Sequence, residues 1–259
     1  MKRLFSSFLC LAVLSCMQTS TTSAADGGKQ FYEIRSYVLG EKGDADAIDQ
    51  YLNKALVPAL NRNGVSTVGV FANAENDKSD SPRIVVVIPY DSPDQIVSVQ
   101  KAVEADEQFK TDASEYLALG KGPYQRIQSE LISAMDCWPA LKVAEGSLQN
   151  DKRVYELRIY ESSNERLGHL KVDMFNNGEV PIFLDCKITP IFIGQAVVGP
   201  QTPNLTYLTV YENDQARQKA WVDFRAHPDW QVLKKVAKYK GTVSHIDTYI
   251  MVPKAYSQM

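Results

Sequence analysis

Phe31-Tyr32-Glu33-Ile34-Arg35-Ser36-Tyr37 returns later in the chain as Val154-Tyr155-Glu156-Leu157-Arg158-Ile159-Tyr160. The offset is 123 residues, Tyr32 to Tyr155, and it recurs between Val57-Pro58 and Val180-Pro181. Further on it becomes 121: Pro82 and Tyr90 match Pro203 and Tyr211, and Phe109 matches Trp230. A register held this closely over so long a stretch marks an internal repeat. We read the chain as two copies of one unit.

Each copy has the same grammar. The Tyr-Glu-Ile/Leu-Arg-x-Tyr stretch alternates and is rich in aromatic and branched residues, which predicts a strand. In the first copy Ile48, Tyr51, Leu52, Ala55, Leu56, Ala59 and Leu60 then recur at helical spacing; in the second, Leu167, Leu170, Met174 and Phe175 do so. The shared proline is expected to end or kink that helix, because it lacks a donor and crowds the turn before it. Two strands follow (65–73 and 83–90; 187–198 and 204–211). A long amphipathic helix comes next (93–119; 214–238), and then a closing strand (125–135; 242–252). This βαββαβ order predicts an α+β fold with two tandem ferredoxin-like units, each a four-stranded antiparallel sheet with both helices on one face. Packed sheet to sheet with helices outside, the units form a barrel within one chain. Residues 29–136 read as the first unit, 137–152 as a linker and 153–253 as the second unit.

The ends and the composition narrow the partners. Lys2 and Arg3 precede an apolar run, Leu4 to Met17, and small residues follow at Thr22 and Ala24. Residues 1–25 therefore read as a signal peptide cleaved after Ala24 or Ala25. A lipid anchor at Cys16 is the weaker alternative, since Leu14 fits a lipobox poorly. The expected location is exported, periplasmic or secreted. The formal net charge is −3, and no basic run or basic helix face occurs, which argues against nucleic acid. No transmembrane segment is expected in the mature chain. Cys137 and Cys186 fit no zinc spacing; they read either as a bridge, which export permits, or as two small apolar residues.

The second copy resembles the NIPSNAP family of the dimeric α/β-barrel superfamily. The resemblance rests on the Val154–Tyr160 stretch, on Val180-Pro181-Ile182-Phe183, and on Leu208-Thr209-Val210-Tyr211 with Asp214, Ala216 and Arg217. It extends through Phe224-Arg225-Ala226-His227-Pro228-Asp229-Trp230. The first copy departs from it, with Ile96 in place of Arg217 and Glu107 in place of Pro228. The resemblance implies the barrel fold. It implies little about chemistry, since eukaryotic members are associated with vesicle traffic and mitochondrial roles and a fold does not fix a function.

Alternation sorts strand residues into two faces. We assign Tyr155, Leu157, Ile159, Leu208, Val210, Ile246 and Ile250 to the helix side. Glu156, Arg158, Tyr160, Tyr207, Thr209, Tyr211, His245, Asp247 and Tyr249 then point into the barrel. The first copy offers Glu33, Arg35, Tyr37, Arg126, Gln128 and Glu130, and its third strand is apolar on both faces, so a pocket is expected to be asymmetric. Two readings stand. The polar groups either satisfy one another as a structural core or line a small-molecule pocket. In the second, His245 is the catalytic proton acceptor, Arg158 an anion anchor, and Glu156, Tyr160, Tyr207, Tyr211, Asp247, Tyr249, Glu33 and Arg35 the other ligand contacts.

His227 raises a metal or haem reading, but Asp106 holds the matching place in the first copy, so a helix-turn residue is expected there. His169 reads as solvent-exposed. No metal and no cofactor is expected. Asn204-Leu205-Thr206 reads as a strand start, and Trp221, Phe224 and Trp230 as a core stripe. No nucleophile elbow, phosphate loop or dinucleotide glycine pattern occurs. Three functions remain open: a module that binds a small molecule, a protein partner or a second copy of itself; a cofactor-independent oxygenase or isomerase; and a haem-binding barrel.

Overall fold

The computed structural model describes residues 28–79 and 81–259, so the segment read as a signal peptide lies outside the described residues. Among the described residues there are eight strands: β1 (Phe31–Val38), β2 (Gly69–Asn73), β3 (Arg83–Tyr90), β4 (Arg126–Ala134), β5 (Val154–Glu161), β6 (Thr189–Val198), β7 (Asn204–Tyr211) and β8 (His245–Pro253). They close into one barrel in the order β1-β3-β2-β8-β5-β7-β6-β4. Each half contributes the same pattern, β4-β1-β3-β2 and β8-β5-β7-β6. Every neighbouring pair is antiparallel. The halves meet at two hydrogen-bonded seams: β2 pairs β8 from Phe71↔Pro253 to Asn73↔Met251, and β4 pairs β6 from Leu131↔Val198 to Ala134↔Gly194. Closure leaves no free sheet edge, the usual liability of an open antiparallel sheet.

The helices differ from expectation in two informative ways. The proline does not end the first helix of either half. In the first half, Ala45–Tyr51 passes through a π turn, Leu52–Leu56, into Val57–Arg62. The Val57 N–H reaches back five residues to the Leu52 carbonyl. Widening the turn just before Pro58 gives room for the ring, whose clash falls on the carbonyl one α-turn back. The second half repeats the device at Phe175–Glu179, ahead of Pro181. Conversely, the long second helix breaks. Pro93–Ala105 stops at Asp106, whose extended backbone and side chain cap a new helix by accepting from the Phe109 N–H at 3.0 Å. His227 does the same after Asp214–Ala226, its Nδ1 accepting from the Asp229 N–H at 3.2 Å.

Three cores result. One lies inside the barrel and draws on both halves: Tyr32, Ile34, Phe71 and Val85 with Tyr155, Leu157, Phe192 and Leu208, among others. The other two lie between the sheet and the helices of each half. This corrects the face assignment of β5 and β7. Tyr155, Leu157, Ile159, Leu208 and Val210 point into the barrel, whereas Tyr160, Tyr207 and Tyr211 pack under the helices. The physical reason is closure. Backbone walls the barrel interior all round, so away from its mouth it takes the apolar set. The polar set goes where helix side chains supply partners. On β8 the assignment holds for Tyr249, which lies inside with Met251.

The interior aromatic pairs cross between the halves: Tyr32 packs tilted against Phe192 with centroids 4.8 Å apart, and Phe71 against Tyr155 at 4.7 Å. Phe192→Ala deletes a fully buried ring, and we expect it to cost about 3–5 kcal/mol, read as a lowered urea midpoint. A loss below about 1 kcal/mol, the range of a volume-conserving swap, contradicts a shared interior core.

Candidate functional site

The second half shows what its polar strand face does. Glu156, on β5, is completely buried beneath the helix Asp214–Ala226. Its carboxylate accepts from Arg158 Nη1 at 2.6 Å, from Arg217 Nη1 at 2.8 Å and from Trp221 Nε1 at 3.0 Å. Arg217 is held in turn by Asp214 at 2.7 Å. The Arg158 guanidinium lies 4.4 Å from the Trp221 ring centre, a cation–π contact. Beside it the Tyr207 hydroxyl donates to Tyr160 at 2.8 Å, and Thr209 and Tyr211 are joined at 3.1 Å. Burial raises the pKa of all three tyrosines, which keeps them protonated. Six of the nine expected residues thus meet, but on the helix side. There they form a closed and almost fully bonded network, with Arg158 Nε left over.

The other three are elsewhere. His245 and Asp247 sit at the barrel mouth on the opposite face of the sheet, with His245 Nε2 and Asp247 Oδ1 3.0 Å apart. Gln201 Nε2 bridges Asp247 (2.6 Å) and Glu161 (2.7 Å), and the Arg83 guanidinium covers the Tyr249 ring at 4.1 Å. The His245 side chain is 59% exposed. Glu130 is buried nearby and bonded by the Asn204 amide; burial raises its pKa. The expected partnership of His245 with Arg158 therefore does not form. The strand lies between them.

In the first half the same outward face is open. Glu33 Oε1 accepts from Arg35 Nε at 2.8 Å and from Ser129 Oγ at 2.7 Å. Glu33 Oε2 accepts from Arg35 Nη2 at 3.1 Å and from the Tyr90 hydroxyl at 3.5 Å. Above this floor lies a cavity of about 530 Å³, walled by Leu56, Leu60, Ile96, Val99, Val103 and Phe109. The sequence offsets explain the space. Where the second half has Arg217, Trp221, Phe224 and Phe183, the first has Ile96, Gln100, Val103 and Leu60. Two helical aromatics and a third beneath them fill one half; their smaller counterparts leave the other hollow. Glu33 and Arg35 are the sequence-expected residues that line it. Tyr90, Ser129 and the helix positions were missed, although comparison of the two copies, position by position, carries that signal. A larger groove of about 940 Å³ runs between the segment 144–153 and the helix Asp214–Ala226. Its walls mix Lys152, Arg153, Lys187 and Lys219 with Glu145, Asp185, Glu212 and Asp223, and offer no single chemistry.

Residues 155–258 match the NIPSNAP family model. This part of the chain is a NIPSNAP domain. Among solved structures, a protein of Fusobacterium nucleatum subsp. nucleatum provisionally described as a monooxygenase has a TM-score of 0.57 at 10% identity. That match covers 87% of this chain and 93% of that one. A second, from Lactobacillus acidophilus and described the same way, gives 0.53 at 11% identity over 87% and 94%. An anthrone oxidase-like protein gives 0.50 at 10% identity over 89% and 95%. At such identity the likeness is one of fold. No curated protein matches the sequence. Both halves of the chain thus share the barrel of these proteins, and the NIPSNAP match falls on the half whose polar face is closed.

Trp221 and Phe224 are core, with Trp230 packed against them. Cys137 and Cys186 are free thiols. Among the described residues no cluster of His, Cys, Asp or Glu has the makings of a metal site, and no helix is long and apolar enough to cross a membrane. One feature of the NIPSNAP half escaped the sequence reading. Lys171 and Glu179 form a buried ion pair at 2.7 Å, with side chains 5% and 2% exposed. Their counterparts in the first half are Ile48 and Leu56.

That exchange gives a direct test. Lys171→Ile alone strands Glu179 in the core and is expected to cost about 3–5 kcal/mol. Adding Glu179→Leu, which copies the first half, is expected to restore stability to within about 1 kcal/mol of the parent or to exceed it. Denaturant melts of the two variants check this; a double variant no more stable than the single one contradicts it.

Proposed function

We propose that the protein is a small-molecule-binding module whose ligand occupies the cavity above Glu33 and Arg35, with the NIPSNAP half as its scaffold. The observation that carries this reading is the contrast between two equivalent places. In one, Glu156 is covered by Trp221 and Arg217; in the other, Glu33 faces an apolar chamber. A chamber of about 530 Å³, apolar with a few converging polar groups, has the size and character of a ligand site. Leaving it empty costs contacts that its counterpart makes, so a ligand gives the hollow half a reason to stay hollow. The polar strand face supports it in another way. Glu33 and Arg35 lock each other and Ser129 into place before a ligand arrives, which lowers the ordering cost of binding.

Gln100→Trp copies Trp221 into the first half and is expected to close the chamber without unfolding the barrel. Binding of the neutral fluorophore N-phenyl-1-naphthylamine, followed by its emission, is expected to fall at least tenfold in this variant while the far-ultraviolet spectrum stays unchanged. Equal binding by a folded Gln100→Trp protein overturns the reading.

We place the binding in an exported compartment, on the strength of the charged, apolar and small-residue order of residues 1–25. N-terminal sequencing of the protein purified from its natural source is expected to begin at Ala25 or Asp26. A chain that begins at Met1 contradicts export through that segment.

A further inference from the structure

We infer that the chamber selects neutral ligands that carry an N–H or O–H donor, and rejects anions. The inference rests on the binding reading above and adds the chemistry of what is bound. Among the residues that line the chamber, Arg35 is the one cation, and Glu33 and Glu104 are the carboxylates. The Arg35 guanidinium is engaged by Glu33 through two nitrogens, at 2.8 and 3.1 Å. A forked pair of this kind spends the cation's charge on its partner. The second half shows what a surplus looks like: there one carboxylate, Glu156, faces two guanidiniums, Arg158 and Arg217. Ile96 occupies the Arg217 position in the first half, so the surplus is missing. An anion entering the chamber exchanges water for apolar walls and the Glu104 carboxylate, which accepts from the Gln100 amide at 3.3 Å, and finds no free positive charge. That exchange is unfavourable.

The hydroxyls set the complementary half of the preference. Ser129 Oγ and the Tyr90 hydroxyl each point their single proton at Glu33. What each has left to offer is oxygen lone pairs, which accept. Burial, followed by the negative charge of Glu33, raises the Tyr90 pKa, so that this proton stays on the phenol. At the Glu33 floor a ligand is therefore recognised by a donor of its own, set at one end of an apolar body. Aryl amines and phenols fit this description; carboxylates and sulfonates of the same shape do not.

Two dyes with one skeleton and the same N–H isolate the effect of charge. N-Phenyl-1-naphthylamine is neutral and carries an N–H; 8-anilino-1-naphthalenesulfonate is the same frame with a sulfonate. In the wild-type protein the neutral dye is expected to bind at least tenfold more tightly. Glu33→Gln frees Arg35, and the sulfonate is then expected to gain tenfold or more. Ile96→Arg, which reinstates the second guanidinium without touching the floor, is expected to give the same gain and stands in if Glu33→Gln does not fold. Equal wild-type affinities, or no gain by the sulfonate in a folded variant of either kind, overturn the selectivity while leaving binding intact. Failure of both dyes to bind the wild-type protein overturns the binding reading, and this inference falls with it.

Discussion

Barrel closure is the constraint on which the rest of this structure depends. A four-stranded sheet with helices on one face has two bare edges and one bare face. Joining two such sheets through β2–β8 and β4–β6 removes all of these exposures at once. The middle of the interior is then apolar, and Tyr32, Phe71, Tyr155 and Phe192 fill it. Glu33, Arg35, Glu156 and Arg158 of the Tyr-Glu-Ile/Leu-Arg stretches lie on the other face, while Glu161 stays on the inner face at the barrel mouth. The polar groups of these stretches lie under the helices because the barrel is closed, and those left on the inner face gather at its mouth, where His245, Asp247, Gln201 and Glu161 meet.

The two halves solve the same problem in different ways. Burying Glu156 outright requires compensation, and Arg158, Arg217 and the Trp221 indole supply it. Burying Glu33 only partly requires less: one arginine, one serine and a long contact from Tyr90 suffice. Small helix residues above it then leave a chamber rather than a core. The Lys171–Glu179 pair is the same trade in reverse, charge in the second half where the first has Ile48 and Leu56. Such exchanges are close to neutral when both partners change and costly when one does. That lets two units of one topology hold different contents.

The sequence made the strands, their order and the barrel legible, because the Tyr-Glu-Ile/Leu-Arg stretch alternates and recurs in register with Val-Pro and the later tyrosines. Which face turned inward was not legible from alternation. Both faces of each sheet are covered, one by helices and one by the opposite sheet, so period two leaves a twofold choice. The choice was decided by partners on another element, Arg217 and Trp221, which a strand pattern does not show. The first helix of the NIPSNAP half misled for a similar reason. Its apolar residues Leu167 and Leu170 are half-buried, while Gly168 and Lys171 are buried; Glu179, eight residues beyond, makes the lysine tolerable. The chamber itself was legible only as asymmetry. Its volume comes from differences in side-chain size at Leu60, Ile96, Gln100 and Val103, each unremarkable alone.

The central claim is that the first half holds a ligand where the second holds a core. A crystal structure of the protein grown with N-phenyl-1-naphthylamine tests it most directly. The account requires density for one dye molecule above Glu33, its N–H directed at Ser129 or Tyr90, and none beneath the helix Asp214–Ala226. Dye at the barrel mouth beside His245, or a chamber collapsed around Gln100 with no dye inside, contradicts it.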